Sequence, residues 1–263
     1  MAGQLACRAA AAGRPFLHRR PRAVNVLLIS LLALAGLVVA QGQRVIISRL
    51  AAAGDEGCPA CRAQPPPWRP SWRPATRRCT ACKRPAWPPS LSVEAISALL
   101  LAALAARVHP GLVLVAACWL ALCAVPLGFI DVAVRRLPDL LTGLAWAGTV
   151  LFLLLAAASA AQWGSLLRAV IGGAALTGFY LILLLISPSG MGLGDVKAAA
   201  SIGTLMAWAG WRVLLAGSFA GFLLAALYGV ALLISGRASR KQQIPFGPFM
   251  LAGAFLAVLA WPS

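Results

Sequence analysis

Two aspartates, Asp131 and Asp195, are the residues of this sequence best suited to acid–base chemistry. Asp131 follows an apolar run that ends Gly-Phe-Ile at 128–130, and Asp195 lies in Gly-Met-Gly-Leu-Gly-Asp-Val-Lys at 190–197. Two facing carboxyl groups can share one proton, because like charges at close range cannot both ionise easily. The ionised group then takes a proton from water and the protonated group donates to a carbonyl oxygen, which is the logic of aspartic peptide hydrolysis.

A plainer interpretation is that each aspartate caps a helix. Aspartate at a helix start accepts backbone N–H groups, and Asp139, between Pro138 and Leu140, fits that role well. The glycines at 190, 192 and 194 allow a tight turn and close approach to a substrate chain. Lys197 is a candidate to tune the nearby carboxylate or to bind a phosphate head group.

Four cysteines form a second candidate site. Cys58 and Cys61 make one Cys-x2-Cys pair, and Cys79 and Cys82 make another. Two such knuckles close four thiolates around a tetrahedral zinc ion, and a site with four cysteine ligands keeps no open position, so its role is structural. The alternative is that these cysteines form disulfides or remain free thiols. A reducing cytoplasmic location would disfavour the disulfides.

The composition indicates how these residues are held. The chain of 263 residues is 61% hydrophobic and only 11% charged, whereas soluble domains carry about 25% charged residues. Apolar runs of the length that spans a bilayer recur along it. They predict an all-α, polytopic transmembrane helix bundle of about eight spans, at residues 23–42, 91–106, 112–130, 140–161, 166–186, 196–210, 213–235 and 244–261.

The predicted organisation has three parts. Residues 1–42 form a tail and the first span, residues 43–90 a small cytoplasmic zinc-binding loop, and residues 91–263 the transmembrane catalytic domain. Alternation of the spans puts 15 of the 23 Lys+Arg residues on the side that carries this loop and both aspartates. Because an excess of Lys and Arg marks the cytoplasmic side, the aspartates are expected to face the cytoplasm.

Two alternatives remain open for the topology and the charge. A later true start, or a cleaved signal peptide ending near Ala40, would change the topology, and a cleaved signal would place the aspartates outside. The net charge of +17 is interpreted as basic loops that touch anionic lipid head groups rather than as nucleic-acid binding.

Taken together, the segments resemble the prepilin peptidase family, also called type IV leader peptidases. The resemblance rests on the double Cys-x2-Cys loop, on Ile130-Asp131 followed by Leu-Pro-Asp at 137–139, on Gly-Leu-Gly-Asp-Val-Lys at 192–197, and on Ile-Pro-Phe-Gly-Pro at 244–248. These motifs also occur in the family's order. The resemblance covers nearly the whole chain, from about Val45 to Trp261.

The resemblance implies a membrane-embedded aspartic endopeptidase of the bacterial inner membrane. It would remove the basic leader from type IV prepilins or pseudopilins at the cytoplasmic face, with Asp131 and Asp195 as the catalytic pair. The residues that shape the site or bind substrate would be Gly192, Gly194, Lys197, Pro245 and Gly247. Many relatives also methylate the new N-terminus with S-adenosylmethionine.

The chain departs from the family pattern in the region associated with methylation. Arg44 stands where relatives usually carry Asn before Val-Val-Ile, and the cysteine loop is unusually rich in Pro and Arg. Glu94 resembles the family's Val-Glu, or it is an acid favoured at a helix start. The rival functional hypothesis is a transporter or assembly scaffold that uses the aspartates as a proton or cation relay.

Overall fold

The computed structural model describes residues 22–52, 91–187, 192–236 and 245–260. The described residues form eight helices, which confirms the all-α class. They are α1 (Arg22–Ala52), α2 (Ser92–Arg107), α3 (Leu112–Val134), α4 (Asp139–Ala160), α5 (Trp163–Ile186), α6 (Leu193–Ala209), α7 (Trp211–Ile234) and α8 (Gly247–Ala260).

Each predicted apolar segment forms one of these helices, but their lengths differ. Five helices, α1, α3, α4, α5 and α7, are long and apolar enough to cross a membrane. The others have 16, 17 and 14 residues for α2, α6 and α8. Helices suit a bilayer because they satisfy every backbone group internally. Five candidate spans are therefore supported, and the count of eight stays a prediction.

Helix α6 lies at the centre of the bundle. It packs along α5 and also contacts α3, α4, α7 and α8. At the C-terminal end of α6, two carbonyl groups accept hydrogen bonds from Arg168 of α5. Its Nε donates to the Ala207 carbonyl at 2.7 Å, and its Nη2 donates to the Trp208 carbonyl at 2.6 Å. These carbonyls have no partner within the helix, and a cation there also opposes the negative end of the helix dipole. Arg168 thus fixes α6 against α5.

Helix α3 contains a proline that a neighbouring helix compensates. Pro126 has no N–H, so the Leu122 carbonyl loses its usual partner one turn earlier. Gln43 of α1 supplies that partner: its Nε2 donates to the Leu122 carbonyl at 2.8 Å. Its Oε1 in turn accepts from the Ser97 hydroxyl of α2 at 2.7 Å. This chain of bonds joins three helices around one interrupted helical turn.

Helix α1 continues past Gly42, where the first span was predicted to end, and reaches Ala52. Arg44, predicted to lie in the loop, is instead buried in the helix and forms a bidentate ion pair with Glu94. In one of its two hydrogen bonds, Arg44 Nη2 donates to Glu94 Oε2 at 2.7 Å. Gln41 also donates to Glu94, at 3.3 Å. The pairing of these two charges explains why both can be buried.

The cysteine loop lies outside the described residues. Cys58, Cys61, Cys79 and Cys82 all fall between Ala52 and Leu91, so the zinc-binding loop stays a prediction. In the described ranges no group of three or more His, Cys, Asp or Glu side chains could hold a metal ion. Cys118 and Cys123 are free, half-buried and buried in α3 respectively, and both pack with the apolar core.

Candidate active site

Asp131 occupies the last turn of α3 and is 5% exposed. The helix ends at Val134, and the next residue, Arg135, adopts a left-handed conformation and donates its N–H to the Asp131 carbonyl. The Asp131 carboxylate accepts the backbone N–H of Gly247 at Oδ2, at 3.1 Å. The end of α3 and the start of α8 therefore meet at this carboxylate.

Asp195 is the third residue of α6 and is 6% exposed. Its Oδ2 accepts the backbone N–H of Gly192, the residue that caps the helix, at 3.2 Å. This is the carboxylate half of a capping box, and glycine leaves the other half without a side chain. The remaining oxygen, Oδ1, is buried without a hydrogen-bond partner among the described residues. The plainer capping interpretation therefore accounts for one oxygen of Asp195. It leaves the other oxygen without a hydrogen-bond partner among the described residues.

Gly247 connects the two aspartates. A Cβ atom placed on this glycine would lie 2.7 Å from Asp131 Oδ2 and 3.4 Å from Asp195 Oδ1. Oxygens of both carboxyl groups thus lie within 3.4 Å of one point beside the α8 N-terminus. Residues far apart in the sequence are brought together because α3 ends where α6 and α8 begin. Because both lie so near one point, ionisation of one carboxyl group disfavours ionisation of the other.

The glycines before Asp195 have a packing role. A Cβ atom on Gly194 would lie 2.6 Å from Cβ of Leu137, so the glycine lets the Leu-Pro-Asp turn at 137–139 pack directly on the start of α6. Gly192 donates to Asp195 through its backbone. At Gly194 the close approach is therefore made by the protein's own turn, and the approach of a substrate to Gly192 stays a prediction.

Lys197 pairs with Asp139 rather than with Asp131 or Asp195. Its Nζ donates to Asp139 Oδ1 at 2.6 Å, and both side chains are largely solvent-exposed. Asp139 is the first residue of α4, where the helix dipole favours an acid, but its side chain makes no capping hydrogen bond. The predicted capping role of Asp139 is wrong, because its carboxylate turns to Lys197 across the interface between α4 and α6.

Pro245 and Gly247 lie at the start of α8. Pro245 is half-buried just before the helix, and Gly247 is its first residue and is buried. Of these two residues, which the resemblance implied would shape the site, Gly247 lies beside both aspartates. Its N-terminal position lets Gly247 offer an unpaired backbone N–H to Asp131.

Tyr180 is a site residue that the sequence analysis missed. Its ring is fully buried and packs against Phe222 and Phe246, with ring centroids 5.7 Å and 5.8 Å away. Its hydroxyl has no hydrogen-bond partner among the described residues and lies within electrostatic range of Asp195. The sequence offered one indication of this residue, which is the rarity of tyrosine. The chain has only two tyrosines, and Tyr180 interrupts an apolar run.

Comparison with known proteins identifies relatives across this region. A model described as the type IV leader peptidase family matches residues 114–234, which contain both aspartates. The chain is also similar to proteins named prepilin leader peptidase/N-methyltransferase. The one from Aeromonas hydrophila is 36% identical over 198 residues, covering 72% of this chain and 64% of that protein.

Two further relatives of that name are more completely covered. The protein of Stutzerimonas stutzeri is 32% identical over 212 residues, covering 77% of this chain and 70% of its own length. The protein of Pseudomonas aeruginosa is 31% identical over 215 residues, covering 78% and 71%. The chain thus spans less than two thirds of the Aeromonas relative and slightly more of the other two. No solved structure matches it significantly.

Proposed function

This chain is an integral membrane protein of the type IV leader peptidase family, and on that premise we propose that it is an aspartic endopeptidase acting through Asp131 and Asp195. The observation that carries the proposal is the meeting of two buried carboxyl groups around Gly247. Buried carboxyl groups inside a membrane protein are costly and usually mark function. The relatives' name supplies the substrate class, which is the prepilin leader.

The proposed chemistry needs one proton between the two carboxyl groups. The ionised group removes a proton from a water molecule, whose oxygen bonds to the scissile carbonyl carbon. The protonated group donates its proton to the carbonyl oxygen. When the C–N bond breaks, the pair gives its proton to the departing nitrogen, which becomes the new N-terminus. A hydroxyl of the tetrahedral intermediate returns a proton to the pair as the new carboxyl group forms, so the pair again holds one proton. Asp195 Oδ1, which has no other partner in the described ranges, is the natural contact for the water.

We further propose that this site faces the cytoplasm of a bacterial inner membrane. The end of α3 and the starts of α4, α6 and α8 surround the site, and the loops on that side carry most of the Lys and Arg residues. The substrates would be type IV prepilins or pseudopilins. Anionic head groups would neutralise the basic loops and allow a basic leader to approach.

The two proposed cofactors differ in their support. A structural zinc ion fits the four thiolate donors Cys58, Cys61, Cys79 and Cys82.

The relatives' names also include a methyltransferase, which implies S-adenosylmethionine. The only carboxylate in the described parts of α1 and α2 is Glu94, and Arg44 and Gln41 already bind it. These two helices therefore offer no unpaired carboxylate for the cofactor's amino group, and the mechanism uses none of its chemistry.

The test is leader removal in cells that co-express the chain with a prepilin, followed on a gel. Asp131→Asn and Asp195→Asn are each expected to abolish processing while membrane levels hold. Asp139→Asn is the matched control: it removes an exposed ion pair worth about 0–1 kcal/mol and should leave processing nearly unchanged. Normal cleavage by either of the first two variants would refute the catalytic pair. Absence of cleavage by the unaltered chain would favour a relay or scaffold instead.

A further inference from the structure

A groove between α2, α3 and α8 is a feature of the described residues that the proposed chemistry does not use. Its volume is about 540 Å³, within the range of sites that bind ligands. Every residue that lines it is apolar. No side chain there could bind a charged or polar molecule, so an occupant must be apolar along this length.

One end of the groove is lined by residues that are chain neighbours of Asp131 and Gly247. Phe129 and Val132 of α3 line it on either side of Asp131, and Pro248 of α8, which follows Gly247, also lines it. From there it runs along α3 back to Ala124, about 12 Å at 1.5 Å per residue. Anything that fills the groove therefore has one end beside the carboxyl pair and the rest extending along the bundle.

The small residues in the groove favour a helix as occupant. Ala103, Ala124, Gly128 and Ala252 let another backbone approach closely, as small residues do between membrane helices. A Cβ atom on Gly128 would meet only a Leu251 methyl group, at 3.8 Å, so packing within the bundle does not require this glycine. Leu99, on the outer edge, is 69% exposed. The groove is thus open at its side, in the apolar part of the bundle.

We propose that this groove binds the apolar helical segment that follows the scissile bond of the substrate. This inference rests on the proposed peptidase function and adds where the substrate lies. The segment would enter sideways from the bilayer and contact the small residues of α3 and α8. The peptide bond at its N-terminal end would then reach Asp131 and Asp195. An acyl chain of a lipid and another segment of this chain are the competing occupants.

The first experiment compares two substrates with purified protein in proteoliposomes. One is a full-length prepilin, and the other is a short peptide with the leader, the cleavage site and only the first few residues beyond it. Ala252→Trp is expected to lower the ratio of kcat/KM for the long over the short substrate by about tenfold or more. Ala216→Trp is the matched control, because Ala216 is an exposed alanine on α7 outside the groove, and the ratio should not change. An unchanged ratio in Ala252→Trp would overturn the proposal.

The second experiment identifies the occupant directly. A photo-reactive benzophenone residue replaces Leu99 in the Asp131→Asn background, and the same residue replaces Leu215, which is equally 69% exposed but lies on α7. The Leu99 position should cross-link to the apolar segment of the prepilin, and the Leu215 position should not. Adducts only with lipid, or only within the chain, would overturn the proposal. If the unaltered protein cleaves neither substrate, the peptidase function fails, and this cross-link still decides what the groove binds.

Discussion

The backbone N–H of Gly247 donates a hydrogen bond to Oδ2 of Asp131 at 3.1 Å, across 116 residues of sequence. This bond attaches the start of α8 to the end of α3. It also brings Gly247 so close to Asp131 that a side chain on the glycine would displace the Asp131 carboxylate. The geometry of the carboxyl pair consequently depends on a residue that carries no chemical group of its own.

Gly247→Ala is expected to abolish most cleavage without unfolding the protein. The added methyl group would lie 2.7 Å from Asp131 Oδ2, so the carboxylate must move, and a misplacement of about 1 Å can cost about 100-fold in rate. The measurement is leader removal, with membrane level as the folding check. Gly178→Ala is the control, because its Cβ would meet nothing within 4 Å. Equal activity of the two variants would contradict the arrangement.

Tyr180→Phe is expected to lower kcat about tenfold or more, with KM unchanged, because the buried hydroxyl of Tyr180 can donate to a water molecule held between it and Asp195. Thermal stability should stay equal or rise, since the variant removes a buried hydroxyl with no partner in the described ranges. The control is Tyr228→Phe, which alters the chain's other tyrosine, 46% exposed on α7. A loss of stability with kcat intact would show that Tyr180 serves packing alone.

Gln43→Leu is expected to destabilise the protein by about 1–3 kcal/mol, because the Leu122 carbonyl and the Ser97 hydroxyl both lose their partner. Tryptophan fluorescence during thermal unfolding in detergent measures the change. The sharper test repeats the substitution in a Pro126→Ala background. Alanine restores the backbone N–H that proline lacks, so Gln43→Leu should then cost less. An equal cost in both backgrounds would show that Gln43 does not compensate for the proline.

Metal analysis of the purified protein is expected to give about one zinc per chain. Cys58→Ser/Cys61→Ser should remove it, since two of the four thiolates are lost. Cys118→Ser/Cys123→Ser should retain it, because these cysteines lie in α3 among apolar neighbours. Zinc that survives the first double variant would refute the four-cysteine site. Full activity in the zinc-free variant would make the loop accessory to cleavage.

The sequence by itself determined the helical class and the candidates for chemistry. A long apolar run can satisfy all of its own backbone groups in a bilayer by forming a helix, so the apolar runs predicted a helix in each segment. Acids are rare in such a chain, which has six Asp+Glu in total, so Asp131 and Asp195 were conspicuous. The motif around Gly247 was recognisable as well, although its contact was not.

Only the tertiary structure decided which of these residues meet. A hydrophobic pattern gives no information on which helix ends converge, because lipid-facing and buried apolar residues look alike in the sequence. The pairing of Lys197 with Asp139, the burial of Arg44 against Glu94 and the position of Tyr180 near Asp195 all depend on contacts between helices. The same holds for the carboxyl pair. One oxygen of each carboxyl group lies beside Gly247 because α3, α6 and α8 pack with their ends together.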